Sequence, residues 1–226
     1  MTKIALSDGD DSYTSDGHIV EIFGFGGADT IVSNGIKTTV YGGEGNDWIY
    51  SFGDAGHLYG GAGNDFIDSR GNSAVIDGGD GIDNIQSHGE SATIFAGDDD
   101  QITSYGDYAS IVSSDASTAI YSYGKAANIQ LGAGNDLVQI YDGFAKVDAG
   151  AGVSDWIVFG AELSTWSISA ELINLDTDPV YQFKFSDTPD DTGNVNYVMN
   201  FEIFIIGSSF FNSADELAAW IQAQST

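Results

Sequence analysis

The chain has 226 residues, 34 of them Asp or Glu against six Lys or Arg, for a formal net charge of −28. So acidic a surface excludes nucleic acid, which needs a basic face, and disfavours an anionic membrane; the absence of cysteine excludes disulfides, thiolate metal sites and thiol nucleophiles. With 42% hydrophobic residues a packed core is expected, yet self-repulsion of this size opposes any compact state, and bound cations are the simplest way to offset it.

The opening, MTKIALSDGDD, has no basic-then-apolar leader. No apolar run is long enough to span a membrane. Neither a cleaved secretory signal nor a transmembrane segment is therefore expected. Ile4 is already in phase with the pattern that follows. The front edge is thus expected to pair with another molecule, by self-association, or with an earlier part of a longer chain.

From there the chain repeats itself. The stretch GGEGNDWIYSFGDAGHLYGGAGNDFIDS spells G-G-x-G-N-D twice, eighteen residues apart. The Asp of that motif recurs at Asp11, Asp29, Asp47, Asp65, Asp83, Asp100, Asp136 and Asp155, with Thr118 in the one skipped place. Between these copies S-x-G recurs in phase, from Ser15-Asp16-Gly17 to Ser122-Tyr123-Gly124. Two residues beyond each mark, and again midway between marks, stands an apolar residue: Ile4, Tyr13, Ile22, Ile31, Val40, Ile49 and so on to Val147 and Ile157. Nearly every step is nine. That period fits no helix. It fits a turn of about six residues and a strand of about three, stacked in parallel about 4.8 Å apart. Two such units make one coil, and eight or nine coils make a solenoid with two facing aliphatic ladders as its core.

The glycines permit positive φ and close approach of one turn to the next. They leave backbone carbonyls and one Asp carboxylate at each gap between coils. Such oxygen donors suit Ca²⁺, whereas Zn²⁺ wants His or Cys. Stacked carboxylates without a cation would be like charges about 5 Å apart.

The nonapeptide G-G-x-G-N-D-x-I-x resembles that of the repeats-in-toxin (RTX) calcium-binding proteins, over about residues 4 to 158. The resemblance implies an all-β chain folded as a right-handed parallel β-roll. It divides the chain into a calcium-binding roll, residues 1–158, and a C-terminal cap, residues 159–226. It implies ions between successive turns, held by the motif Asp and by turn carbonyls. Carried over, the leading ligands are Asp47, Asp65 and Asp83, with carbonyls of Gly42, Glu44, Gly60, Ala62, Gly78 and Asp80. Asp29 and Asp136 follow, then Asp11, Asp100 and Asp155. Members of the family place calcium turns on both sides. Here one side is S-x-G, so a single row of roughly five ions is expected, broken near Thr118. The Ser hydroxyls are expected to bond turn backbone.

After Ile157 the period ends. Val180–Phe185 and Asn200–Ile206 read as strands, with a loop at Ser186–Asn194. Ser213-Ala-Asp-Glu216 is a capping box, which predicts a short helix from about Ala214 to Gln222. This β-rich tail is expected to cover the open end of the solenoid. The resemblance also makes it a secretion signal: relatives leave bacteria by type I secretion and fold at extracellular calcium levels.

No Ser/His/Asp spacing stands out, and His18, His57 and His88 read as turn residues, so catalysis is not expected. Aromatics line up on the outward positions: Phe23, Tyr41 and Tyr59 on one face, Trp48, Tyr50 and Phe66 on the other. They are the candidate surface for a polysaccharide or a cell-surface protein. The expected function is that of a secreted calcium-dependent structural or interaction module at the cell surface or in the matrix. The alternatives are a polysaccharide-binding accessory module of a secreted enzyme and an ice-binding solenoid. No regular Thr ladder supports the last.

Overall fold

The computed structural model describes residues 1–141, 145–151, 155–159, 167–175, 178–186, 194–199, 203–206, 209–211, 216–217 and 219–220. Eighteen short strands come first, from β1 (Thr2–Ala5) and β2 (Ser12–Ser15) to β17 (Ala145–Asp148) and β18 (Trp156–Phe159). Odd-numbered strands form one parallel sheet and even-numbered strands the other, so the chain alternates between two sheets as it winds. This is the β-solenoid that the nine-residue step predicts.

The aliphatic residues stand in register along each sheet. Ile22 pairs with Val40, Val40 with Leu58, and Leu58 with Ile76 in the first sheet. Ile31, Ile49, Ile67 and Ile85 do the same in the second. From Ile22 to Ile157 these rungs are fully buried and form one core. Each contributes about 1.5–3 kcal/mol by leaving water. Ile4 and Tyr13, at the front end, are only partly covered.

Backbone hydrogen bonds continue around the turns, so consecutive coils are tied along their whole path. Phe52 N–H donates to the Ser33 carbonyl and Gly45 N–H to the Ala62 carbonyl, at 2.8 and 2.7 Å. In each S-x-G turn the glycine is required by space rather than by φ. A Cβ on Gly53 would run into the Gly35 carbonyl of the coil before, and one on Gly71 into that of Gly53. The left-handed residue of these turns lies two positions later and is not glycine: Lys37, Ala55, Ser73, Ser91, Tyr108 and Ala126 have φ between 54 and 61°. Each such residue costs about 1–2 kcal/mol, which the surrounding ladder overrides.

The tail does more than cover the end. Five further strands follow: β19 (Ser167–Leu175), β20 (Asp178–Ser186), β21 (Asn194–Met199), β22 (Ile203–Ile206) and β23 (Ser209–Phe211). β19 and β20 form an antiparallel hairpin. The chain then rejoins the solenoid path: β21 lies parallel to β17 with Val147 opposite Val198, and β22 parallel to β18 with Ile157 opposite Phe204. The two sheets thus gain one more rung each after the period in the sequence has ended. Phe211 and Leu217 are buried in the core cluster, and the Trp220 ring packs 5.3 Å from that of Phe211. Glu216, Leu217, Ala219 and Trp220 are helical, within the span predicted. Ser213 of the capping box and the loop at 187–193 lie outside the described residues.

Candidate metal centre

The G-G-x-G-N-D turns stack along one edge of the solenoid. Gly43, Gly45, Gly61, Gly63, Gly79 and Gly81 all have φ between 101 and 127°, a region closed to side chains. These are the turns of Asp47, Asp65 and Asp83, and the motif Asp points inward in the other coils as well. Asp29, Asp47, Asp65, Asp83, Asp100, Asp136 and Asp155 are all buried, at most 3% exposed.

One oxygen of each carboxylate has a fixed task. Asp47 Oδ1 accepts the Asp29 N–H at 2.8 Å, Asp65 Oδ1 that of Asp47 at 2.7 Å, and Asp83 Oδ1 that of Asp65 at 2.7 Å. Asp100 Oδ1 continues the file with the Asp83 N–H. Thr118 cannot supply a carboxylate, so the file restarts at Asp136, whose Oδ1 accepts the Thr118 N–H at 2.7 Å. Each Asp thereby holds the backbone of the coil before it.

The other oxygen decides what the edge can bind. Oδ2 of Asp29, Asp47, Asp65, Asp83 and Asp136 is buried without a hydrogen-bond partner. A buried acceptor left unsatisfied is costly, and a buried charge more so. The carboxyl groups respond accordingly: burial raises Asp47 to about 6, Asp65 to about 7 and Asp100 to about 6. Asp29, Asp83 and Asp136 also shift upward. Loss of water is the main cause in each case. The accepted backbone N–H opposes it.

Each orphan oxygen has company where the motif starts with glycine. A Cβ on Gly24 would collide with both Asp29 Oδ2 and the Gly42 carbonyl oxygen. On Gly42 it would collide with Asp47 Oδ2 and the Gly60 carbonyl, and on Gly60 with Asp65 Oδ2 and the Gly78 carbonyl. At Gly78 the neighbours are Asp83 Oδ2 and, at 3.2 Å, Asp100 Oδ2. At the first three sites a carboxylate oxygen from one coil and a carbonyl from the next therefore converge beside a residue that has no side chain; at the fourth two carboxylate oxygens do. Among the described residues no group of three or more acidic or His side chains forms a metal cluster. The donors are oxygens of carboxylates and backbone carbonyls, and fit a hard cation such as Ca²⁺.

The structure sorts the expected ligands. The carbonyls of Gly42, Gly60 and Gly78 meet the orphan oxygens. Those of Ala62 and Asp80 each accept a coil-stacking N–H, from Gly45 and Gly63, and retain one lone pair. Glu44 lies at the strand end opposite Ala62. Asp11 Oδ2 is taken by the Ser7 N–H and hydroxyl, both at 2.7 Å. Asp100 has both oxygens engaged, the second by the Gly97 N–H at 2.7 Å. Asp136 keeps its orphan oxygen, but Leu131 stands where Gly42 stands in its own coil and is buried. Asp155 Oδ1 accepts the Asp136 N–H at 2.9 Å.

On the opposite edge the Ser hydroxyls do not bond turn backbone as the S-x-G pattern predicts. Only Ser15 does so, accepting the Gly17 N–H at 3.3 Å. Oγ of Ser33, Ser51, Ser69, Ser87, Ser104 and Ser122 is buried with no partner. The reason is direction: strand alternation sends these side chains inward, away from the turn amides. Those amides find other acceptors, such as Asp54 Oδ1 for Asn72 N–H and Asp107 Oδ1 for Lys125 N–H.

The aromatic residues divide in kind. Phe23, Tyr41 and Tyr59 stack face to face at 5.0 Å and 7°, so their faces cover one another. Trp48, Tyr50 and Phe66 are tilted by 36–52°, and Trp48 is 52% exposed. A third column was not anticipated: His88, Tyr105, Tyr123 and Tyr141 stack at 4.1–5.0 Å. Its signal was present, since His88, Tyr105 and Tyr123 are each the x of S-x-G.

A comparison with protein-family models finds no match, and a comparison with curated proteins finds none either. Among the described residues no helix is long and apolar enough to cross a membrane. Fold and edge together define a parallel β-solenoid with one carboxylate-lined edge.

Proposed function

We propose that this chain is a calcium-binding β-roll, with four ions in one row beside Gly24, Gly42, Gly60 and Gly78. The observation that carries this reading is the file of buried Oδ2 atoms without partners at Asp29, Asp47, Asp65 and Asp83. Ca²⁺ would be held there by these carboxylates and, at the first three sites, by the carbonyls of Gly42, Gly60 and Gly78, and would supply the positive charge that the edge lacks. Mg²⁺ fits less well, because its small octahedral shell keeps its waters while strand stacking fixes the coil spacing.

Binding of this kind is coupled to folding. The coils that carry the orphan carboxylates loosen at low cytosolic calcium and close at the millimolar calcium outside the cell. Together with the RTX resemblance this supports export by a bacterial type I system and a role as a structural or interaction module at the cell surface or in the matrix. A circular dichroism titration from chelator tests the reading. A cooperative rise of β signal with Ca²⁺, absent with Mg²⁺, is expected; a spectrum already complete in chelator and unmoved by Ca²⁺ would overturn it.

A further inference from the structure

The outer face of the second sheet carries a row that the calcium reading leaves unused. Thr30, Trp48, Phe66, Asn84, Gln101, Ala119 and Leu137 stand opposite one another on successive coils. The row changes character along the axis. At one end, Trp48 and Phe66, with Tyr50 beside them, form a tilted aromatic platform. Because these rings are not stacked face to face, the half-exposed Trp48 still offers an apolar surface. In the middle, Asn84 Nδ2 donates to Gln101 Oε1 at 2.9 Å. That bond uses one donor and one acceptor, so the amide pair keeps others for a ligand. Beyond it the row drops to the methyl of Ala119. There an open cavity of about 330 Å³ is lined by Asp99, Asp100, Gln101, Thr118, Asn135 and Leu137; both oxygens of Asp100 are already engaged.

We infer that this face binds an extended, uncharged polysaccharide: Trp48 and Phe66 stack on one sugar ring, Asn84 and Gln101 bond the next hydroxyls, and the notch at Ala119 holds a further sugar. Pyranose rings combine what the row asks for, an apolar C–H face and a rim of hydroxyls that donate and accept. A polymer is favoured because the features extend over five coils, each about 4.8 Å from the next. Polyanions are repelled by the net charge of −28 and by Asp99 in the notch. A peptide strand would need open backbone groups to pair with, and this is the face of a sheet, not its edge. Apolar surface with a few convergent polar groups is the usual make-up of a small-ligand site. The site needs the coiled fold but no cation, so it stands apart from the calcium reading.

Native affinity gel electrophoresis of the whole chain in soluble mixed-linkage β-glucan or galactomannan tests this, with polygalacturonate as the anionic control. It is run in Ca²⁺ and in chelator, with circular dichroism of the same samples. At least one neutral polymer should retard the folded protein. Trp48→Ala should weaken retardation about tenfold. Ala119→Leu, which fills the notch without removing a contact, should weaken it roughly threefold. Phe95→Ser, at an exposed position of the first sheet, should leave it unchanged. A folded protein retarded by neither neutral polymer would overturn the inference. So would retardation that survives both Trp48→Ala and Ala119→Leu, stronger retardation by polygalacturonate, or displacement by an unfolded peptide rather than by glucan. A chain that coils and binds glucan in chelator would count against calcium and for this site.

Discussion

The acidic edge has two halves that share a spacing and differ by a side chain. From Gly24 to Asp83 every motif begins with glycine, and an orphan carboxylate oxygen faces an oxygen of the next coil, a carbonyl at Gly24, Gly42 and Gly60 and the Asp100 carboxylate at Gly78. From Ala96 onward the same place holds Ala96, Ser113, Leu131 and Ala149, three of them buried. The second half fills with side chain what the first half leaves open. Carboxylate spacing alone therefore does not define a cation site; room beside the carboxylate does. It follows that the first half should depend on cations for its stability and the second on burial.

Chelation is the strongest way to break the comparison. In hydrogen exchange, amides between residues 20 and 87 should lose protection when calcium is removed, while those between 93 and 159 keep most of theirs. Equal loss in both halves would erase the distinction. Next in size, Asp65→Asn should destabilise the calcium-loaded protein by about 3 kcal/mol, as loss of one partner of a buried charge pair does. The same variant should stabilise the chain in chelator, because it removes a desolvated charge. A change of the same sign in both conditions would contradict this, as read by urea unfolding.

The acid response has a definite direction. Folding raises the carboxyls of Asp47, Asp65 and Asp100 above their ordinary value of 3.8, to about 6, 7 and 6. In chelator the folded chain therefore holds more protons than the unfolded one between about pH 4 and pH 7. Its stability is highest at the acid end of that window and falls as pH rises through it. Saturating calcium should flatten or reverse the slope. The smallest effect belongs to the other edge: Ala55→Gly should relieve the left-handed strain at φ 55° and add about 1 kcal/mol with or without calcium.

Much of this was legible because its causes recur in the sequence. An aliphatic residue at every ninth position specifies two ladders, since no other geometry buries that period. The Asp file was legible for the same reason. The further rung at Val198 and Phe204 was not, because the β19–β20 hairpin interrupts the spacing. The left-handed positions share no residue type, from Lys37 to Tyr108, since the backbone of the stacked turns imposes them. The inward Ser hydroxyls were misjudged because S-x-G looks like a turn motif while its Ser is the last residue of a strand. The division of the acidic edge was in plain sight as Gly42 against Leu131, but its meaning needed the position of Asp Oδ2.

Counting the ions tests the central claim most directly. Native mass spectrometry from a calcium-containing volatile buffer should find four tightly held Ca²⁺ ions, and fewer in Asp47→Asn and Gly60→Ala, the latter because its methyl occupies the slot between Asp65 and Gly78. A folded chain that carries no calcium, or one whose ion count is unchanged by both substitutions, would contradict the account.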